Sequence, residues 1–258
     1  MRAVGTENAW FSFNGLRNDD ETLGVKMLSM PTRPHPARKG KLVDIPGAHG
    51  KLFQDEGVYD RILVSLRCIA PDNDNIDAVN AWLSGEGDLI FGDEPNRAYK
   101  ARITKEFSRS NRNPRLRGQE FTITFDCEPF RYQSTPDAAI SLPKSGHIPS
   151  SSKEVTKGTV PSAPLIKIVN NNEYAVNFGI DIGSYHMTVN INGNTTMRID
   201  NDAKIAYKQA HEENSPVLLA TQDIFGDWIY IEPGKRHTAQ HTAGDNVIIT
   251  VEPRWRWL

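Results

Sequence analysis

Hydrophobic and polar residues alternate along three long segments in the first half of the chain, at 59–70, 97–107 and 119–127. A period of two places alternate side chains on opposite faces of a strand, so each segment predicts a half-buried β-strand. The lengths of the segments favour antiparallel pairing. The predicted inward face of the first segment carries Ile62, Val64, Leu66 and Cys68.

One helix is predicted between the first two strands, at about 74–84. The Asn- and Asp-rich run 72–75 supplies N-cap side chains, and Gly85 is placed to end the helix. Trp82 flanks the apolar stripe and is expected to anchor the helix on the sheet. The stripe itself consists of Ile76, Val79 and Leu83.

The alternating pattern ends after Arg131, and the composition of the chain changes. Residues 134–163 are rich in Pro, Ser and Gly and predict a connector between two domains. Beyond it, Asn192 and Gly193 predict a hairpin turn between two alternating strands. Short strands separated by turn residues, with no convincing helix, are typical of a β-sandwich. The predicted strands are 165–169, 174–182, 186–192, 195–199, 228–231 and 247–251.

These patterns predict a mainly β protein of two domains, 1–133 with one helix and 164–258 as a β-sandwich. The 258 residues, 38% of them hydrophobic and 24% charged, are typical of a globular protein that folds.

With 30 basic and 32 acidic residues, the net charge of -2 excludes bulk attraction to nucleic acid or an anionic membrane. No apolar run reaches the roughly 18 residues of a membrane span, and the first residues lack signal-peptide order. We therefore expect the chain to be made and kept in the cytoplasm.

Known catalytic motifs are missing from the sequence. It contains no nucleophile elbow, no P-loop and no dinucleotide-binding glycine motif. A pair of carboxylates in a sandwich cleft suits a glycosidase, but the sequence does not single out a pair. We predict that the protein is not an enzyme and has no catalytic residues and no cofactor.

Cysteine and histidine residues give no metal site. Cys68 and Cys127 are interpreted as free, buried thiols in preference to a single bridge. His237 and His241 stand four apart, but they lie among predicted strands and lack a metalloprotease Glu, so surface histidines in a loop are the preferred interpretation. The run 72–77 resembles the start of a calcium loop but lacks its turning Gly and bidentate Glu, and a helix cap explains it.

Two basic loops and a tryptophan-rich end remain as candidate binding features. Loops 32–41 and 108–118 are either solvated turns or contacts for an acidic protein neighbour. The tryptophans of the C-terminal half are either exposed and stack on sugar rings, or Trp255 and Trp257 are buried and close the sandwich as its last strand. Their alternation with arginine favours the buried interpretation. The candidate sugar platform is Trp228, Trp255 and Trp257.

Several short motifs together resemble one family, the distal tail protein (Dit) of long-tailed bacteriophages and prophages, chiefly of Gram-positive hosts. They run in order along nearly the whole chain. The quoted segments are 11–15 (FSFNG), 45–50 (IPGAHG), 81–85 (AWLSG), 93–99 (DEPNRAY), 198–200 (RID), 226–234 (GDWIYIEPG) and 254–258 (RWRWL).

This resemblance implies a ring-forming N-terminal β domain with an extended arm or belt, and a galectin-like C-terminal β-sandwich. It implies a homo-hexameric hub at the virion tail tip, assembled in the host cytoplasm, with no catalytic, metal or cofactor residues. The implied partners are the major tail protein, the tape measure protein, and the tail-associated lysin, tail fibre or baseplate proteins. DNA only passes through the channel, and no membrane contact is implied.

The stretch 31–57 is the expected arm, because it is rich in Pro and Gly and has little to pack on itself. The 108–118 loop is expected to face an acidic protein neighbour, since a channel wall that grips phosphates would hinder DNA exit. A carbohydrate-binding module that uses the C-terminal tryptophans is the alternative function. The expected subunit contacts are Pro34, Arg38, Lys39, Pro46, His49, Arg112, Arg115 and Arg117.

Overall fold

The computed structural model of the protein describes residues 9–71, 76–104, 118–149, 151, 154–212 and 215–258. The chain folds into two compact units, residues up to Thr135 together with Leu258, and Pro136–Trp257. Both units are built from strands, with one α-helix in the described residues. The predicted mainly β fold class is confirmed.

The first unit contains one large curled sheet, a separate two-stranded sheet and the helix. The large sheet has the strand order β2-β1-β7-β8-β9-β6-β3, and every adjacent pair in it is antiparallel. Within the part of the chain that the structure describes, strands β4 and β5 pair only with each other. The elements are β1 (Phe11–Phe13), β2 (Leu16–Arg17), β3 (Lys26–Met27), β4 (Arg38–Asp44), β5 (Lys51–Tyr59), β6 (Ile62–Pro71), α1 (Ile76–Trp82), β7 (Glu86–Phe91), β8 (Arg97–Ile103) and β9 (Gly118–Gln133).

The predicted inward face of β6 is buried as expected. Ile62, Val64, Leu66 and Cys68 are all at most 5% exposed, and they pair with the alternating residues of β9. Helix α1 lies within the predicted 74–84, although its capping run 72–75 falls outside the described residues. The Trp82 ring stacks on Phe11 with centroids 5.4 Å apart and donates its indole N–H to the Phe13 carbonyl, 2.8 Å away. Trp82 therefore anchors the helix to β1, as predicted.

A buried amide holds the first strand to the loop before β3. The Asn18 side chain accepts a hydrogen bond from the Phe11 N–H at 2.7 Å and donates one to the Val25 carbonyl at 2.8 Å. Asn18 is 1% exposed, so both backbone groups depend on it.

The two cysteines are free and buried, which confirms the sequence interpretation. Burial raises the pKa of both Cys68 and Cys127 to about 12. Thiols with so high a pKa stay protonated and unreactive at neutral pH.

The second unit is a sandwich of two sheets around one core. One sheet has the order β10-β20-β12-β15-β16-β17, which we call the first sandwich sheet, and the other has the order β11-β19-β13-β14-β18, the second sandwich sheet. A 3-10 turn covers Thr221–Asp223. The strands are β10 (Ile140–Ser141), β11 (Ser145–Ile148), β12 (Leu165–Asn170), β13 (Val176–Ile182), β14 (Tyr185–Ile191), β15 (Thr195–Asp200), β16 (Ile205–Ala210), β17 (Leu218–Leu219), β18 (Ile224–Gly226), β19 (His237–His241), β20 (Val247–Glu252) and β21 (Arg256–Trp257).

Asn192 and Gly193 do not form the predicted hairpin. Strand β14 pairs with β13 and β18, whereas β15 pairs with β12 and β16, so the Asn-Gly pair leads the chain from one sheet to the other. A Cβ on Gly193 would lie 2.3 Å from the Glu173 carbonyl carbon. The glycine is thus required by a close backbone approach, not by a two-residue turn.

The structure also differs from three other local predictions. The segment 134–163, predicted as a connector, supplies β10 and β11, which pair with β20 and β19. Segment 228–231 forms only an isolated bridge between Ile231 and Ser162 instead of a strand. His237 and His241 lie in β19 at 8% exposure, so their interpretation as surface loop residues was wrong.

Among the described residues, no group of histidine, cysteine or carboxylate side chains is arranged to hold a metal ion. No described helix is long and apolar enough to cross a membrane.

Candidate functional site: an exposed hairpin arm

The β4–β5 hairpin, which we call the arm, exposes nearly all of its residues. Only Gly40 and Tyr59 of its two strands are partly buried. Two-stranded hairpins are at best marginally stable in water without a further layer. The two strands of the arm therefore have little internal support.

Both faces of the arm carry an apolar cross-strand pair. Leu42 lies opposite Phe53 on one face, and Val43 lies opposite Leu52 on the other. These four side chains are 41–64% exposed. An ordinary half-buried hairpin has one apolar and one polar face, so an arm that is apolar on both faces is suited to burial on both.

Charged residues flank the apolar pairs and hold the two strands together. Arg38 donates to Asp55 at 2.7 Å, and Lys51 donates to Asp44 at 3.2 Å. The Gly57 N–H also donates to Asp55, and this bond, followed by the Arg38 guanidinium, lowers the pKa of that carboxyl below its usual value. Exposed pairs of this kind stabilise a hairpin little, but they set its register.

A glycine shapes the base of the arm. The strand pairing shifts register between Arg38 and Gly40. A Cβ on Gly40 would lie 2.4 Å from the Gln54 carbonyl oxygen and 2.5 Å from the Phe53 ring. The Phe53 ring thus occupies space that only a glycine leaves free.

The segment before β4 is fixed to the rest of the first unit by an ion-pair network. Arg33 donates to Asp93 and, at 3.3 Å, to Glu94. Glu94 also accepts from Arg97 at 3.4 Å and from Arg131 at 2.9 Å. The Arg33 guanidinium lies 5.2 Å from the centroid of a buried phenylalanine ring in β7. These bonds set the direction in which the arm leaves the sheet.

The predicted subunit contacts lie in three places. Pro34 is exposed beside Arg33 and lines a cleft of about 270 Å³. Arg38 and Lys39 are exposed on β4, and Pro46 and His49 are exposed in the turn between β4 and β5. The structure thus collects these five on the arm and its base. Arg112, Arg115 and Arg117 lie outside the described residues.

Sequence reasoning missed the apolar pairs that define the arm. It interpreted 31–57 as a turn-rich stretch, whereas the structure has two regular strands of 7 and 9 residues there. The available signal was a pair of adjacent apolar residues on each strand, Leu42-Val43 and Leu52-Phe53, each between charged residues. Two neighbouring apolar residues in a strand point to opposite faces.

The tryptophans proposed as a sugar platform are not all available. Trp255 is 4% exposed and donates its indole N–H to Asp137 at 2.8 Å. Trp228 and Trp257 are partly buried against the core of the second unit. Trp255 therefore offers no open ring face to a ligand.

Comparison with known proteins connects the first unit with phage tails. Residues 21–127 match the family model of the phage tail protein RIFT-related domain. Among solved structures, a chain from "Structure of the Phage P2 Baseplate in its Activated Conformation with Ca" aligns with a TM-score of 0.49 and 9% identity, over 88% of this chain and 89% of that chain. No curated protein matches the sequence. The match to this family model confirms, over residues 21–127, the similarity to phage tail proteins that the sequence motifs indicated.

Proposed function

We propose that the protein is the distal tail hub of a phage virion, whose copies form a ring at the tail tip. The arm carries this proposal, because it presents apolar pairs on both faces and, among the described residues, pairs with no other strand. The phage tail domain at residues 21–127 and the motifs of the distal tail family support the same role. The protein is then structural and not an enzyme.

The arm suits a contact with the next copy of the chain. At about 3.3 Å per residue, the nine residues of β5 extend about 30 Å, enough to cross the surface of a neighbouring domain. An arm that covers a different surface on its neighbour makes a head-to-tail interface, which closes into a ring when the rotation allows. Six copies, as the family resemblance implies, would each give one arm and receive one.

The ion-pair network at the arm base reduces the cost of this assembly. An arm whose direction is already set loses less conformational freedom when a neighbour covers it. The Arg33 contacts with Asp93 and Glu94 therefore favour ring closure without touching the neighbour.

The other parts of the hub follow from the family resemblance. The first unit would form the ring and the galectin-like second unit would lie outside it. The ring would join the tail tube and tape measure protein to the lysin, fibre or baseplate proteins and surround the DNA exit channel. Sugar binding by Trp228, Trp255 and Trp257 is not proposed, because Trp255 is buried.

The experiment is a comparison of arm variants by light scattering after size exclusion, over a concentration series, with negative-stain images of the heaviest fraction. Wild-type protein should give a six-fold ring with a central hole. The double substitution Leu42→Ser, Phe53→Ser should leave a folded monomer. Leu63→Ser removes a comparably exposed leucine (47%) outside the arm and should assemble as wild type does. Rings formed equally well by the arm variant would contradict the proposal.

The basic loop makes a second, electrostatic contribution in this proposal. Reversal of Arg112, Arg115 and Arg117 to Glu should weaken assembly, and the loss should depend on salt because exposed charges are screened. Unchanged assembly of this triple variant at low salt would show that the loop does not face an acidic neighbour.

A further inference from the structure

The outer face of the first sandwich sheet carries one row of side chains that crosses all six strands. Residues directly opposite each other in antiparallel strands point to the same face, and the alternate residues of these strands form the core on the other side. At a strand spacing of about 4.8 Å, the row extends about 24 Å. It consists of Ser141, Thr250, Lys167, Arg198, Tyr207 and Leu219.

Two cations face each other at the centre of this row. Lys167 of β12 lies directly opposite Arg198 of β15, and both residues are exposed. Like charges in directly opposite positions repel and destabilise a sheet, because their Cβ atoms are only about 5 Å apart. Within the described ranges, neither side chain forms an ion pair or a hydrogen bond. The fold thus holds two adjacent positive charges that it does not itself compensate.

The acidic residues nearest to this pair along the same strands do not neutralise it. Asp200 accepts a hydrogen bond from the Arg254 guanidinium at 2.9 Å, so its charge already has a partner. Glu252 lies opposite Leu165 and not opposite Lys167. A carboxylate that compensates the two cations must therefore come from another molecule.

Apolar side chains surround the two cations on this face. Three of them are 40–57% exposed, namely Tyr207, Leu219 and Ile248. Three more are half-buried on the neighbouring rows, namely Leu165, Val169 and Ile205. Exposed apolar area around Arg and Tyr side chains is typical of the residues that contribute most to the stability of protein interfaces.

We propose that this face docks an acidic segment of a protein partner, with a Glu or Asp side chain of the partner between Lys167 and Arg198. One carboxylate accepts hydrogen bonds from both cations and replaces their repulsion by two attractions. The apolar residues around the pair pack on the partner and exclude water, which strengthens the ion pair at the centre. The charge at the centre also selects the partner, because a basic or neutral surface leaves both cations uncompensated.

The composition of this face favours an acidic protein over a nucleic acid. Surfaces that bind a phosphate backbone are polar and carry many cations, whereas this face has two cations among six apolar residues. The net charge of the whole chain, -2, gives no further attraction to a polyanion. The docking face goes beyond the hub function and does not depend on ring formation.

The experiment measures binding of a fluorescently labelled glutamate–tyrosine copolymer to the full chain by fluorescence anisotropy. This probe offers carboxylates and apolar rings in one polypeptide. Wild-type protein should bind it, and the double variant Lys167→Gln, Arg198→Gln should bind about tenfold more weakly. The matched control Lys26→Gln, Lys235→Gln removes two exposed lysines outside this sheet and should bind as the wild type does.

Lys167→Glu gives a second, independent measurement. It places a carboxylate opposite Arg198, so the midpoint of urea unfolding should rise while copolymer binding is lost, because the chain then supplies the missing anion itself. Lys26→Glu makes the same change of charge away from this face and should leave both measurements close to those of the wild type. A variant that gains stability and loses binding separates a docking site from a pair with a structural role.

Four results would overturn the inference. The first is a wild-type protein that does not bind the copolymer at low salt. The second is a folded Lys167→Gln, Arg198→Gln variant that binds as tightly as its control. The third is tighter binding of a DNA duplex through the same two residues, which would assign the face to nucleic acid. The fourth is a lower mass of this variant in light scattering, which would assign the face to a second copy of the chain.

The docking face and the hub can fail separately. Rings without copolymer binding would overturn this inference alone, and copolymer binding without rings would contradict the hub alone.

Discussion

The β6–β9 pair and the β4–β5 arm are both antiparallel strand pairs within the first unit, but they differ in the burial of their apolar residues. Leu66 of β6 is fully buried, whereas Leu52 of β5 is 56% exposed. The β6–β9 pair lies within a large sheet covered on one face, whereas no described residues form a second layer on the arm. The difference shows that an apolar strand residue stabilises the chain only where a second layer covers it.

The largest expected effect comes from Leu66→Ala. Removal of this fully buried side chain should destabilise the first unit by about 2 to 5 kcal/mol, because a cavity is left in a packed core. Hydrogen exchange of the β6 and β9 amides measures the loss within this unit. Leu63→Ala on the outer face of β6 serves as the control. An equal loss of stability in this control would contradict the role assigned to burial.

A smaller effect is expected from Asn18→Ala. This change leaves the Phe11 N–H and the Val25 carbonyl buried without their partner, which should cost about 1 to 3 kcal/mol. Urea unfolding measures the change. Asn18→Asp keeps the acceptor and loses the donor, so it should also destabilise. Full stability in the alanine variant would mean that water replaces the amide.

A pH-dependent effect is expected in the second unit. Burial, and then the nearby Lys144 charge, lowers the pKa of His241, while a backbone hydrogen bond at Leu142 opposes them. The unfolded chain therefore binds a proton more readily, so stability is full above the ordinary histidine pKa of about 6.5 and falls as pH drops below it.

Urea unfolding at about pH 7.5 and about pH 5.5 tests this expectation on either side of that value. His241→Leu should flatten the difference between the two pH values. If the stability of this variant still fell at the lower pH as in the wild type, groups other than His241 would cause the acid sensitivity.

The smallest expected effect on stability is that of Leu52→Ala. The same substitution that is costly at Leu66 should change the stability of the isolated chain by no more than about 0.5 kcal/mol, because the side chain is already in water. Its effect should appear in assembly, as a ring that forms only at higher protein concentration. A large loss of monomer stability would show that the arm packs on its own chain.

Much of the fold could be predicted because local patterns and burial agree. The alternation in β6 and β9 correctly predicted which residues are inside, and Trp82 anchors the helix as expected. The site was predicted only in part. Pro34, Arg38, Lys39, Pro46 and His49 do lie on the arm or its base. The apolar pairs of the arm were missed because the glycine and proline content of residues 31–57 was interpreted as a sign of turns.

Where prediction failed, contacts distant in sequence decided the outcome. Asn192 and Gly193 join strands of two different sheets, and the backbone at Glu173 passes too close to position 193 for any residue but glycine. Trp255 is buried, as the preferred interpretation expected, but the sequence did not indicate Asp137 as the acceptor of its indole N–H. The hydrogen bonds of Asp181 to His186 and Gln240 form only after β13, β14 and β19 come together.

The sequence by itself determined the mainly β class, the half-buried strands, the helix with its tryptophan anchor and the similarity to phage tail proteins. These depend on side-chain period and on short motifs, which are local properties of the chain. Only the tertiary structure decided which strands share a sheet, and that the described residues leave both faces of the arm uncovered. Strand pairing and side-chain burial depend on residues far apart in sequence, and so they are fixed only when the chain folds.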